Sequence, residues 1–134
     1  MSIFLDTNVI IYHLTDVDKA KNERCTLLLE RAERNEVELF TSEFVIAEVV
    51  WFMQYRLSLS REHIREVLGP ILRLPGLRLP NKQLWPTILD LYCEKRVDFV
   101  DAYSAVAMQR AGITQVYSYD RDFDRIEGVD RITP

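Results

Sequence analysis

Short runs of strand-forming residues alternate with longer stretches patterned for amphipathic helices, and this alternation constrains the fold more than any other feature of the chain. Ile3-Phe4-Leu5, Val37 to Phe40, the weaker Leu77 to Leu79, and Gln115 to Tyr119 are the strand candidates, with Ile132 as a final short edge. Between them, Val9 to Leu14 opens a helix, and Lys19 to Asn35 repeats Cys25, Leu28, Leu29 and Ala32 on one stripe. Ser42 is placed to cap a helix over Glu43 to Leu57. Ser60 is placed to cap another that Gly69-Pro70 threatens to break and Pro75-Gly76 ends. Asn81 is the expected cap of a helix reaching Lys95, with Pro86 tolerated near its start, and a small-residue helix runs from Asp101 to Ala111 with Gly112 as its stop. Strands joined through helices require crossover connections, so the expectation is an α/β fold with a mostly parallel sheet and helices on both faces.

A chain of 134 residues is one domain long and buries roughly two thirds of its unfolded surface, so a single domain over 1–134 is expected. Apolar runs such as Val9 to Tyr12 and Val49 to Met53 are too short for a bilayer, and no basic-then-apolar leader opens the sequence. Cys25 and Cys93 both fall inside predicted helices, which argues against a disulfide framework and for a reducing cytoplasm. The formal net charge of −4 does not suggest a surface built on phosphate contacts. Excess acid also arises where carboxylates are gathered for a cation, so the positions must decide.

In an open parallel sheet, ligand sites form where the chain leaves a strand for a helix. Asp6 lies at such a point, as does Asp120 after Gln115 to Tyr119, with Asp122 two residues on. Asp101 falls in the first turn of its helix, where the macrodipole favours a carboxylate, and Glu48 stands inside the apolar run Ile46 to Val50. Two carboxylates about 4 Å apart repel by about 4 kcal/mol at an effective dielectric of 20, so a cluster of them calls for a cation. With oxygen ligands only, Mg²⁺ or Mn²⁺ suits the set better than zinc, and His13 and His63 are too far apart in the pattern to form a ligand pair.

Each residue also has a plainer reading. Asp6 serves as a turn or cap, Asp101 as a first-turn charge, and Asp120 and Asp122 as members of a solvated loop. Thr7, Asn8 and Ser42 have ordinary capping roles, with support of metal-binding carboxylates as the alternative. Glu48, an acid within an apolar run, is the hardest to explain without a partner.

Together the segments Leu5-Asp6-Thr7-Asn8, Ser42 with Glu48, Asp98-Phe99-Val100-Asp101-Ala102 and Ser118-Tyr119-Asp120-Arg121-Asp122-Phe123 resemble the PIN-domain family, in particular VapC-like toxin ribonucleases. The motifs span nearly the whole chain, and their ordered set is far more specific than any one of them. The resemblance implies a three-layer α/β/α fold and a Mg²⁺- or Mn²⁺-dependent endoribonuclease. It implies a homodimer, inhibited by a VapB-like antitoxin whose tail enters the active groove. Carried over by position, Asp6, Glu48 and Asp101 are the metal-holding acids, and Asp120 or Asp122 is the fourth, with Asp120 favoured. Thr7, Asn8, Ser42 and Ser118 are the supporting hydroxyls and amide; Ser118 stands where the family usually has threonine. Asp98 reads as a residue leading into the helix, and Arg56, Arg121 and Arg125 as weak candidates for phosphate contact. A stand-alone RNA-processing nuclease and a non-catalytic metal- and partner-binding module are the rival readings. A dehalogenase-like phosphatase is a poor one, since it needs a second aspartate where Asn8 stands.

Overall fold

The computed structural model describes all 134 residues, and the chain divides into two compact units, Met1–Lys82 and Gln83–Pro134. In the first unit, β1 (Ser2–Phe4), β2 (Glu38–Phe40) and β3 (Leu77–Arg78) form a parallel sheet in that order, with Phe4 opposite Phe40 and Phe40 opposite Arg78. Parallel neighbours cannot be joined by a tight turn. The chain therefore crosses over through α1 (Thr7–Leu14) and α2 (Lys19–Glu33), then through α3 (Glu43–Trp51) and α4 (Arg61–Leu72). Asp18, Ser42 and Ser60 cap α2, α3 and α4, each accepting a backbone N–H three residues on. Ile10, Leu39, Ile46, Val49, Ile64 and Leu68 make the fully buried centre of this unit.

Two local features depart from the sequence pattern. The helix expected to run to Leu57 does so only by widening, since α3 passes into a π-helical turn at Phe52–Arg56. The expected break at Gly69-Pro70 does not occur: α4 continues to Leu72. Pro70 removes one backbone donor near the end of the helix, where the buried stripe of Ile64, Leu68, Ile71 and Leu72 holds the last turn in place. Gly76, by contrast, is required. Its N–H donates to the Ala32 carbonyl at 2.8 Å, and a Cβ there would lie 2.5 Å from the Val37 oxygen and 2.6 Å from that of Ala32.

In the second unit, α5 (Trp85–Glu94) and α6 (Phe99–Arg110) precede β4 (Gln115–Tyr117), a 3₁₀ turn (Arg121–Arg125) and β5 (Asp130–Ile132), and β4 pairs in parallel with β5. Asn81 does not cap α5. It adopts a left-handed conformation (φ 53°), and a 3₁₀ turn at Lys82–Leu84 leads into the helix, with Pro86 in its first turn where no amide donor is needed. An aromatic cluster packs α5 on α6: Trp85 stacks on Phe99 at 5.9 Å, and Tyr92 meets Phe99 edge-on at 5.8 Å. Helix α6 starts two residues before the expected Asp101, because Asp98 takes the extended conformation of a capping position. Every strand pairing in both units is parallel, as the alternation of elements requires. Both cysteines are free thiols, and no helix is long and apolar enough to cross a membrane.

Candidate metal centre

In the second unit, Asp101, Asp120 and Asp122 each offer a carboxylate oxygen, and the three oxygens lie within 4.8 Å of one another. Local structure assembles them. Asp101 projects from the first turn of α6. The other two come from the segment after β4, which ends at Tyr117, two residues earlier than the alternation of apolar residues suggests. The Ser118 amide still donates to the Ile132 carbonyl at 3.0 Å, the last bond to the neighbouring strand. Beyond it, the Ser118 hydroxyl accepts the Asp120 amide and Asp120 Oδ1 accepts the Asp122 amide, both at 2.9 Å. These side-chain turns fold the Asp-Arg-Asp segment back on itself and bring both aspartates to α6. The choice between Asp120 and Asp122 therefore does not arise at the level of geometry, since both join Asp101.

The electrostatic consequence is clear at Asp101. Partial burial, a hydrogen bond with Asp120 and the negative charges of Asp120, Asp98 and Asp122 push its pKa up to about 6. Without a cation Asp101 holds its proton only below about pH 6. Asp98 sits at the capping position of α6, its side chain capping nothing, and acts on Asp101 only through its charge. Arg125 lies 3.3 Å from Asp122 and donates to the Arg96 carbonyl at 3.0 Å, so this guanidinium is engaged within the unit.

In the first unit, Asp6 occupies the capping position of α1, yet its exposed side chain makes no capping hydrogen bond. The plain reading of Asp6 as a helix cap thus fails at the side chain. Glu48 is exposed too, although its neighbours in the sequence are apolar. The helix turns Val45, Ile46, Val49 and Val50 inward and leaves Glu48 on the outer face. Its partner is the buried Thr7, whose hydroxyl donates to Glu48 Oε2 at 3.2 Å and so ties α1 to α3. The Ser42 hydroxyl accepts from the Val45 amide at 3.3 Å, the capping arrangement, and Asn8 is exposed on α1.

Sequence reasoning missed Thr41. It is fully buried, and its hydroxyl donates to the Leu5 carbonyl at 2.9 Å, while the Leu5 amide donates to the Phe40 carbonyl at 2.7 Å. These bonds fix the chain where it leaves β1 and so set the position of Asp6. The only sequence signal was a second hydroxyl beside Ser42 at the end of a strand. Arg131 was missed as well: it donates to the Ser118 carbonyl at 3.1 Å and pairs with Asp124, bracing the loop that carries Asp120.

With this geometry in view, the family is decided by the match of residues 3–129 to the PIN domain. The chain belongs to the PIN-domain family. It is also 28% identical over 130 residues to the VapC ribonuclease of Aquifex aeolicus (strain VF5), an alignment covering 97% of this chain and 95% of that protein. For a PIN domain, the donor set of the second unit fits a hard divalent cation. It is made entirely of carboxylate oxygen, and it contains one carboxyl, Asp101, whose raised pKa reflects crowding that a cation would relieve.

Proposed function

We propose that the chain is a Mg²⁺- or Mn²⁺-dependent endoribonuclease that hydrolyses RNA phosphodiesters, and that residues 1–134 work as a single PIN-like domain. The observation that carries this reading is the Asp101–Asp120–Asp122 cluster, within a family match that runs unbroken through both units. The relative's description as a VapC ribonuclease supports RNA as the substrate. As the sequence resemblance implies, the proposal extends to the toxin of a VapBC-type pair, a homodimer in the cytoplasm that is neutralised by a VapB-like antitoxin.

In this reading Asp101, Asp120 and Asp122 would hold the cation, and Asp6 and Glu48 are carried over from the resemblance as further metal-holding acids. When bound, a divalent cation lowers the pKa of water and neutralises charge on the scissile phosphate. Below about pH 6 Asp101 would have to give up a proton to hold the cation. The Thr7 hydroxyl holds one oxygen of Glu48, fixing the carboxylate's rotamer and leaving the other oxygen to accept from water. Ser118 sets the loop that carries Asp120, and Thr41 sets the origin of Asp6.

The test compares wild type with Asp6→Asn on labelled single-stranded and structured RNAs, with Mn²⁺ and with chelator. Cutting by wild type that requires Mn²⁺ and disappears in the folded variant is expected; equal cutting by both proteins refutes the assignment. Glu48→Gln should weaken Mn²⁺ binding by calorimetry, and unchanged affinity removes Glu48 from the set. A protein that binds Mn²⁺ and never cuts RNA would be a binding module.

A further inference from the structure

The outer face of α3 and its π-helical extension carries Phe44, Glu48, Trp51 and Tyr55, at successive spacings of four, three and four residues that put them on one stripe. All four are exposed, with Phe44 84%, Trp51 52% and Tyr55 57% accessible. The Trp51 and Tyr55 rings lie 6.0 Å apart, inclined at 48°. By contrast, Trp85, Tyr92 and Phe99 of the second unit are buried. The π-helical turn adds one residue to the helical repeat, and such turns recur at functional sites. Here it sets Tyr55 beside Trp51, with the exposed Arg56 next in the chain.

The second unit independently repeats the association of acid and ring. Tyr117 and Tyr119, 71% and 75% exposed, flank Ser118 immediately before Asp120. Aromatic surface is costly to leave in water, and here it borders the proposed catalytic acids in each unit.

We propose that Trp51 and Tyr55 are a base-stacking platform that holds unpaired nucleotides of the RNA substrate alongside Glu48. The proposal rests on the ribonuclease reading above and names how that site grips its substrate. Charge favours this occupant's bases over its phosphates. The chain has a net charge of −4 and an acid in the middle of the stripe, so a polyanion gains little from counterion release. Stacking on an aromatic ring needs no positive surface, and every base has a face to offer once it is unpaired. Double-stranded RNA, whose bases already stack on one another, offers the platform nothing.

The experiment uses the full chain carrying Asp101→Asn, with Mg²⁺, so that binding is read without cleavage. Trp51 is the exposed one of two tryptophans, and its fluorescence should be quenched on titration with a short single-stranded RNA and left unchanged by the same sequence as a duplex. Trp51→Ala should weaken binding, read by anisotropy of the labelled RNA, by about tenfold or more, and Trp51→Phe should restore most of it. In the active protein, Trp51→Ala should raise KM by a similar factor with kcat little changed. Circular dichroism reports whether each variant folds, and Tyr55→Ala gives a second reading at a separate position. Equal binding by wild type, Trp51→Ala and Tyr55→Ala overturns the platform. So does a change in mass in light scattering on Trp51→Ala with KM unaltered, which would mean that a second copy of the chain covers the stripe. Single-stranded RNA that binds through Trp51 while wild type never cuts it would instead refute the nuclease reading and leave the platform standing.

Discussion

The two units carry their acids in opposite ways. In Gln83–Pro134 three aspartates are pressed together by a helix start and a doubly turned loop, and one of them keeps its proton up to about pH 6. In Met1–Lys82 Asp6 and Glu48 are exposed, and Glu48 accepts a hydrogen bond from the Thr7 hydroxyl. The contrast teaches a division of labour. Crowded carboxylates store repulsion that a cation would relieve, so in the proposed function their loss should cost the most metal binding, and loss of an exposed acid such as Glu48 less.

This division is easiest to break at its strongest point. Asp101→Asn should reduce Mn²⁺-dependent RNA cleavage on the order of a thousandfold, measured as kcat/KM, because it removes a charged ligand from the cluster. Retained activity would mean that the second unit does not hold the cation.

Next in size is the effect of metal on stability. A cation at a hundred times its Kd stabilises the folded state by about 2.7 kcal/mol, visible as a rise of several degrees in Tm. Asp120→Asn should abolish most of that rise and Glu48→Gln should keep most of it. The reverse order would put the binding energy in the first unit.

Thr7→Val deletes the hydroxyl that fixes Glu48 while preserving shape. It should lower kcat by about tenfold with little change in melting temperature, as measured by steady-state kinetics and calorimetry.

The smallest expected effect is on pH dependence. Asp101 binds its proton more tightly folded than unfolded, so in chelator its contribution to stability is greatest below about pH 4. That contribution declines as pH rises towards about 6. Urea unfolding of the metal-free protein should show this decline, and Asp101→Asn should flatten it; identical profiles would mean that the cluster is not strained. Added Mn²⁺ should stabilise wild type more at pH 7.5 than at pH 5, since at the lower pH it must displace the proton.

The alternation of strand and helix patterns by itself determined the parallel α/β class, because parallel strands need helical crossovers and buried faces impose their periods on the sequence. The caps at Ser42 and Ser60 were legible for the same reason: each bond spans only three residues. The acids after strand ends and the PIN-like motif order singled out Asp6, Glu48, Asp101, Asp120 and Asp122 as candidates. Tertiary structure alone decided which neighbours those acids meet. Whether Glu48 faces in or out depended on which side of α3 found a core. Its Thr7 partner lies 41 positions away, and the turns that bring both Asp120 and Asp122 to Asp101 are visible only once α6 and the β4 loop are packed. Side-chain periodicity reports local geometry, whereas a carboxylate's pKa and partners depend on distances between residues that the order of the chain does not contain.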